Sequence, residues 1–113
     1  MTARSTETTV RTPDGLSLVG TLVQPDGPSR HAAVLVHGRG VTRHEAGFFT
    51  RLAAGLAESG VASLRFDLPG HGESEGRQED LSLAGVLNAV RGARAHLCRE
   101  TNLASASQQM LDE

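Results

Sequence analysis

The sequence predicts an α/β protein in which an antiparallel hairpin precedes alternating strands and helices. An apolar run at residues 32–36 and a second run at 61–67, in which Val61, Leu64 and Phe66 are apolar, are typical of strands, and a helical periodicity follows each of them. Glycine-rich stretches come directly after both runs, at 37–40 and 69–76. Because ligands bind outside the carboxyl ends of strands in such sheets, the sequence predicts one functional rim made by these two stretches.

The first elements read as an antiparallel pair and a strand. Residues 6–12 and 16–24 are rich in Thr, Val and Leu and flank Pro-Asp-Gly at 13–15, which predicts a β-hairpin. The continuous apolar run at 32–36 is typical of a strand that is buried on both faces.

A first helix is predicted between residues 42 and 60. Thr42 and Glu45 have the spacing of a capping box, and Gly60 is a typical helix end. Four residues at helical spacing predict its buried face: Phe49, Leu52, Ala53 and Leu56. The residues at 61–67 then form the last strand, parallel to 32–36 through a right-handed crossover. We expect this last strand to present an unpaired edge.

The second helix is predicted from a cap at Ser82 to about Arg99. Its apolar residues recur at helical spacing: Leu83, Val86, Leu87, Val90 and Leu97. Together the elements make a single α/β domain, with residues 104–113 as a tail of uncertain role.

Composition and charge argue against several functions. The formal net charge is -2, so we expect neither nucleic acid nor an anionic membrane as partner. The single cysteine, Cys98, has no disulfide or zinc companion, and the N-terminus lacks the apolar core of a signal peptide. No apolar run is long enough to span a bilayer, which favours a cytoplasmic protein. We expect surface positions for His31, His44 and His96, core positions for Phe48 and Phe49, no metal and no cofactor.

Two motifs carry a resemblance. The first is His37-Gly38-Arg39-Gly40, and the second runs from Phe66-Asp67-Leu68-Pro69-Gly70 to His71-Gly72-Glu73-Ser74. In this order and separation they resemble the N-terminal part of the α/β-hydrolase superfamily, over about residues 8–103. Within the superfamily, the branch of esterases, monoacylglycerol lipases and serine aminopeptidases is the most similar.

The resemblance implies a role for each motif. The loop of His37, Gly38, Arg39 and Gly40 would be the oxyanion loop, with the Arg39 backbone N–H as one donor. The histidines would shape the loops through side-chain hydrogen bonds, and Asp67 would tie the two loops together. The implied rim loop contains Asp67, Gly70, His71, Gly72 and Ser74.

Residues 72–76 read G-x-S-x-G, the pattern of a nucleophile elbow, which makes Ser74 a candidate nucleophile. Three observations argue against that role. Five residues, 68–72, separate the strand from Glu73-Ser74, acidic residues flank the serine on both sides, and residues 77–80 do not begin an apolar helix. The sequence therefore favours a loop-ordering hydroxyl over a nucleophile.

The family's chemistry needs a serine on an elbow, then an acid, then a histidine. Residues 101–113 contain neither a β-branched apolar strand nor such an elbow. The resemblance thus implies the front part of a serine hydrolase for an ester, thioester or amide of a small hydrophobic substrate, inactive by itself. The alternative is a non-catalytic, truncated product that acts through a partner or through self-association at an exposed sheet edge.

Overall fold

The structure is a computed structural model that describes residues 3–101. Four strands form one sheet: β1 (Arg4–Arg11), β2 (Ser17–Gln24), β3 (His31–Val36) and β4 (Val61–Phe66). Two helices flank it, α1 (Phe48–Glu58) and α2 (Leu83–Thr101), and single 3₁₀ turns lie at Glu45–Gly47 and Gln78–Asp80. The strand order is β1-β2-β4-β3, with β3 and β4 parallel and the other pairs antiparallel. The predicted α/β class is confirmed.

The last strand lies inside the sheet, so the prediction that it presents an open edge is wrong. In β4, Leu64 opposes Leu22 of β2 on one side and Val34 of β3 on the other. The crossover through α1 places β4 between β3 and the hairpin, and β3 becomes an edge strand. For the same reason β3 is only half-buried, contrary to the expected burial of residues 32–36, whereas Ala62 to Phe66 of β4 are buried.

The two faces of the sheet differ in polarity, because successive side chains of a strand point to opposite sides. Leu64 and Phe66 of β4 face α2 in the apolar core, together with Val10, Leu18, Leu22, Leu68, Ala89, Ala93 and Leu97. Ser63 and Arg65 of β4 face the other way, where Ala53 and Ala57 of α1 pack on Val23. The α1 side of the sheet therefore has a mixed, partly polar interior.

Helix α1 starts later than the capping-box pattern predicts. Glu45, Ala46 and Gly47 all have positive φ, at 50°, 54° and 91°, and an α-helix cannot continue through left-handed residues. The Glu45 carboxylate accepts a hydrogen bond from the Gly38 N–H at 3.0 Å and makes no contact of the capping-box kind. The predicted helix end is confirmed, since Gly60 has a φ of 83°.

Helix α2 begins as predicted, because the Ser82 hydroxyl accepts a hydrogen bond from the Gly85 N–H at 3.1 Å. Its buried face agrees with the expected one in part, since Leu97 is buried and Val86 and Val90 pack against the core. The buried residues are Ala89, Gly92, Ala93 and Leu97, whereas Leu83 is 76% exposed and Leu87 is 45% exposed. A Cβ on Gly92 would lie 2.7 Å from the Arg11 carbonyl oxygen, so small residues are needed where the helix crosses the hairpin.

Three side chains lie elsewhere than the sequence predicts. Phe48, the first residue of α1, is 54% exposed rather than in the core. His44 is half-buried, and its Nδ1 accepts from Arg65 Nε at 3.4 Å. His96 is half-buried against β1, where its Nε2 lies 2.8 Å from the Thr8 hydroxyl. Both histidines were expected on the surface, and each occupies an interface between a strand and a helix or loop.

Candidate active-site rim

The two glycine-rich loops meet at one edge of the sheet. The loop that starts at His37 follows β3, and the loop that starts at Asp67 follows β4. Because these strands are parallel, their carboxyl ends lie side by side, and the rings of His37 and His71 are 5.2 Å apart. The structure thus brings together the two segments that the sequence predicts to form a rim.

The two buried histidines cross-link the loops reciprocally. His37 Nε2 accepts from the Leu68 N–H at 3.0 Å, and His71 Nε2 accepts from the Gly40 N–H at 3.0 Å. Each Nδ1 in turn lies within hydrogen-bond distance of a backbone carbonyl, that of Gly38 for His37 and that of Pro69 for His71. Since all four ring nitrogens are engaged with backbone groups, neither histidine has a nitrogen left to carry a proton to or from a substrate.

Asp67 is fully buried and holds both loops. Its Oδ1 accepts from the Arg43 N–H at 2.6 Å, and its Oδ2 accepts from the Glu73 N–H at 3.0 Å. Gly72 packs against this carboxylate: its φ is 50°, and a Cβ there would collide with the Asp67 side chain. Gly70, with a φ of 76°, likewise leaves room for the Gln78 backbone. The two glycines allow the rim loop to fold tightly around one carboxylate.

Arg43 is the main residue of the site that the sequence analysis missed. Its side chain is 7% exposed and donates to Asp67 Oδ2 at 2.6 Å, to Glu7 Oε1 at 2.8 Å and to Glu73 Oε1 at 3.0 Å. Its Nε also donates to the Thr21 hydroxyl. The residue stands in a polar stretch that resembles solvated surface, and only the need of a buried Asp67 for a counter-ion could have indicated it.

The charges of this cluster stabilise one another. Burial by itself would lower the pKa of Arg43, but the hydrogen bond to Glu73 and the charges of Asp67 and Glu7 raise it above its ordinary value. For Glu7, burial alone would raise the pKa, yet the hydrogen bond from Thr21 and the charge of Arg43 lower it. The pKa shifts of Arg43 and Glu7 therefore both favour the charged form of the side chain.

Ser74 is placed as a link between strand and loop. Its hydroxyl donates to the Asp67 carbonyl at 2.6 Å and accepts from the Val19 N–H at 2.9 Å. In the part of the chain that the structure describes, no serine hydroxyl is hydrogen-bonded to a histidine. The geometry is that of a structural hydroxyl, because a nucleophilic serine needs a base within hydrogen-bond reach.

The backbone donor of Arg39 is unused, whereas the donors of its neighbours are engaged. The Gly38 N–H is taken by Glu45, the Gly40 N–H by His71, and the Val41 N–H points to the Gly38 carbonyl. Among residues 3–101 neither the N–H nor the guanidinium of Arg39 has a hydrogen-bond partner. Both belong to an exposed residue that borders a cavity of about 310 Å³.

The cavity lies between the end of β3 and the start of α2. Its wall is mostly aliphatic, and Ser82, His37 and Arg39 add the polar groups; the apolar residues are Val36, Leu68, Leu81, Leu83 and Val86. The described residues include no group of three or more His, Cys, Asp or Glu side chains that could hold a metal ion. The site thus offers an apolar space, a free backbone donor and one cation.

A mixed sheet with a glycine-rich loop after each of two parallel strands and an apolar cavity beside the first loop is the arrangement of the α/β-hydrolase class. The sequence profile of the Alpha/beta hydrolase family matches residues 33–106, which is more than half of the chain. The protein therefore belongs to this family. No curated protein sequence matches the chain significantly.

Several solved structures share the fold. An esterase from Pyrococcus furiosus superposes with a TM-score of 0.71 at 20% identity, over 86% of this chain and 35% of its own. Est1E from Butyrivibrio proteoclasticus, solved with bound ferulic acid, gives 0.70 at 27% identity, over 79% of this chain and 36% of its own. A serine hydrolase homologue from Coxiella burnetii gives a TM-score of 0.70 at 19% identity, over 86% of this chain and 47% of its own. The chain spans less than half the length of each. No helix within residues 3–101 is long and apolar enough to cross a membrane.

Proposed function

We propose that this chain forms the oxyanion side of the active site of a serine hydrolase that acts on an ester, thioester or amide. The observation that carries the proposal is the unpaired Arg39 N–H at the edge of an apolar cavity. Its neighbours in the loop, Gly38 and Gly40, are both tied to acceptors, so the peptide that bears this donor is fixed before any charge develops. Loss of one such donor typically costs about 2.7–4 kcal/mol of barrier.

The role of Arg39 follows from where negative charge develops during the reaction. When a nucleophile attacks the carbonyl carbon of a substrate in the cavity, the carbonyl oxygen becomes negative, and the Arg39 N–H donates a hydrogen bond to that oxygen without reorganising. The second donor, the nucleophile, the acid and the catalytic histidine would come from residues other than 3–101. The likeness to esterases supports an ester substrate, and the aliphatic wall of the cavity supports a small hydrophobic acyl group.

The first test is reactivity. We expect the purified chain neither to react with a fluorophosphonate probe nor to hydrolyse 4-nitrophenyl butyrate above the buffer rate, because Ser74 has no base. Ser74→Ala is compared with Ser5→Ala, which alters an exposed serine of β1. Labelling that Ser74→Ala abolishes and Ser5→Ala retains would show that Ser74 is a nucleophile and would overturn this assignment of the loop.

The second test addresses the donor itself. In a ¹⁵N-labelled sample titrated with methyl hexanoate, a neutral ester, we expect the Arg39 amide proton to move downfield. The Gly38 and Gly40 amides should move less, because they already donate to Glu45 and His71. An Arg39 amide that stays in place while these glycines shift would contradict the proposed oxyanion role.

A second candidate function is self-association through the edge of β3, and one observation favours it. Among the described strands β3 has a neighbour on one side only, and His31–Val36 contains no Lys, Glu or Pro of the kind that protects sheet edges. Apolar side chains are also exposed at its last residue, Val36, and on the neighbouring helix α2, at Leu83 and Leu87. Sedimentation equilibrium should show a dimer that Leu87→Lys weakens and Phe48→Lys, on the opposite side of the sheet, leaves intact. A monomer at all concentrations would refute this candidate.

A further inference from the structure

We propose that the Arg39 guanidinium makes the cavity selective for substrates that carry a carboxylate beside an apolar chain. The proposal rests on the proposed function, because it takes the cavity beside the oxyanion loop as the substrate site. It concerns the side chain of Arg39, whereas the oxyanion role concerns its backbone N–H. The two roles can therefore be tested separately.

The first argument is that Arg39 carries the only guanidinium, and with it the only permanent charge, among the lining residues. His37 has both ring nitrogens engaged with backbone groups, and the Ser82 hydroxyl accepts from the Gly85 N–H. The remaining lining residues are aliphatic. A ligand in this cavity therefore meets mostly aliphatic walls, the Ser82 hydroxyl, the Arg39 N–H and a single permanent charge, that of the Arg39 guanidinium.

The second argument is that no carboxylate of the chain competes for this guanidinium in the part that the structure describes. Arg43 and Arg77 are both paired with acidic side chains, whereas Arg39 has no ion pair within residues 3–101. Glu45, the acidic residue nearest in the loop, points its Oε2 at the Gly38 N–H. Arg39 is left with its full set of donors in a planar fork that matches a carboxylate.

The third argument is size. A space of about 310 Å³ lies at the small end of the range for ligand sites, which favours a short chain over a large ring system. A short aliphatic chain fills the apolar part, and a terminal carboxylate can reach the exposed Arg39 at its mouth. The matching substrate class is the monoester of a short dicarboxylic acid.

The experiment compares two ligands that differ in one charge. Monomethyl adipate and dimethyl adipate are titrated into the ¹⁵N-labelled chain, and their dissociation constants are read from amide shifts around the cavity. We expect the monoester to bind about fivefold more tightly, the factor that an exposed ion pair at the strong end of its range contributes. The preference should shrink when sodium chloride is raised to 0.5 M.

Two variants test whether the Arg39 side chain causes the preference for the monoester. Arg39→Gln should abolish the preference while it keeps the backbone N–H, and Arg94→Gln, an exposed arginine of α2 outside the cavity lining, should retain it. Equal affinity for both esters, absence of binding, or a preference that persists in Arg39→Gln would each overturn the proposal. If methyl hexanoate shifts the Arg39 amide and no preference exists, the proposed function stands and this inference fails. If the monoester is preferred but the Arg39 amide does not shift, the guanidinium binds carboxylates and the proposed oxyanion role of the N–H fails.

Discussion

Replacement of Arg43 by methionine should be the most destabilising single change at the rim. The substitution keeps much of the side-chain volume but removes the cation that faces the fully buried Asp67 carboxylate at 2.6 Å. Asp67 would retain two backbone donors and lose its counter-ion. Glu7 and Glu73, whose side chains are 62% and 69% exposed, would simply turn to water.

The expected size follows from burial. Removal of one partner of a buried ion pair costs about 3–5 kcal/mol, whereas the two exposed carboxylates contribute less than about 1 kcal/mol each. The Asp67 contact therefore dominates. With a urea m-value of about 2 kcal/mol/M, the unfolding midpoint should fall by about 1.5–2.5 M. Circular dichroism during urea titration measures this shift, and Arg43→Lys, which keeps one positive charge, should give an intermediate value.

A matched control is available in Arg77, which also pairs with an acidic residue, Glu79, but has a side chain that is 71% exposed. Arg77→Met should shift the midpoint by less than about 0.5 M. Equal shifts for Arg43→Met and Arg77→Met would refute the reasoning that burial makes the difference. If Arg43→Met does not fold, the double variant with Asp67→Asn should recover part of the loss, and a double variant no better than the single one would also refute it.

Three further predictions follow from local geometry. Gly72→Ala should lower the unfolding midpoint strongly, because its Cβ would collide with Asp67, whereas Gly27→Ala, with open space around it, should not; equal effects would contradict the clash. Ser82→Ala should cost about 1 kcal/mol in urea unfolding through loss of the α2 cap, and an unchanged midpoint would mean that the cap contributes nothing. Burial lowers the pKa of His96 below its usual 6.5, so the folded state resists its protonation. Thermal stability should therefore fall as the pH drops below about 6.5, and His96→Gln should lessen that slope; the same slope in both proteins would contradict the assignment.

The sequence predicts the rim well because short motifs determine its backbone. Glycines at 70 and 72 and the two loop histidines act within or between adjacent loops, and such local chemistry is visible in the order of residues. The predicted meeting of the two loops follows from the parallel strands alone. The α/β class is equally accessible, since strand and helix periodicities alternate clearly.

What the sequence does not show depends on tertiary partners. Arg43 resembles a surface residue until Asp67 and Glu7 converge on it from β4 and β1. Glu45 fits a capping box, but the Gly38 amide takes its carboxylate instead. The position of β3 at the edge follows from strand order, which the sequence pattern leaves open. For Arg43 and Glu45, a partner elsewhere in the chain determines where the side chain lies, and the local pattern does not.

The contact between Glu7 and Arg43 joins a strand outside the family match to a loop inside it. Residues 33–106 carry the family pattern, yet the counter-charge for the rim arginine comes in part from β1, near the N-terminus. The boundary that sequence comparison recognises thus cuts through this ion-pair cluster. A version of this chain that begins at residue 33 would keep every family motif and lose Glu7 and Thr21, two of the side chains that hold Arg43 in place.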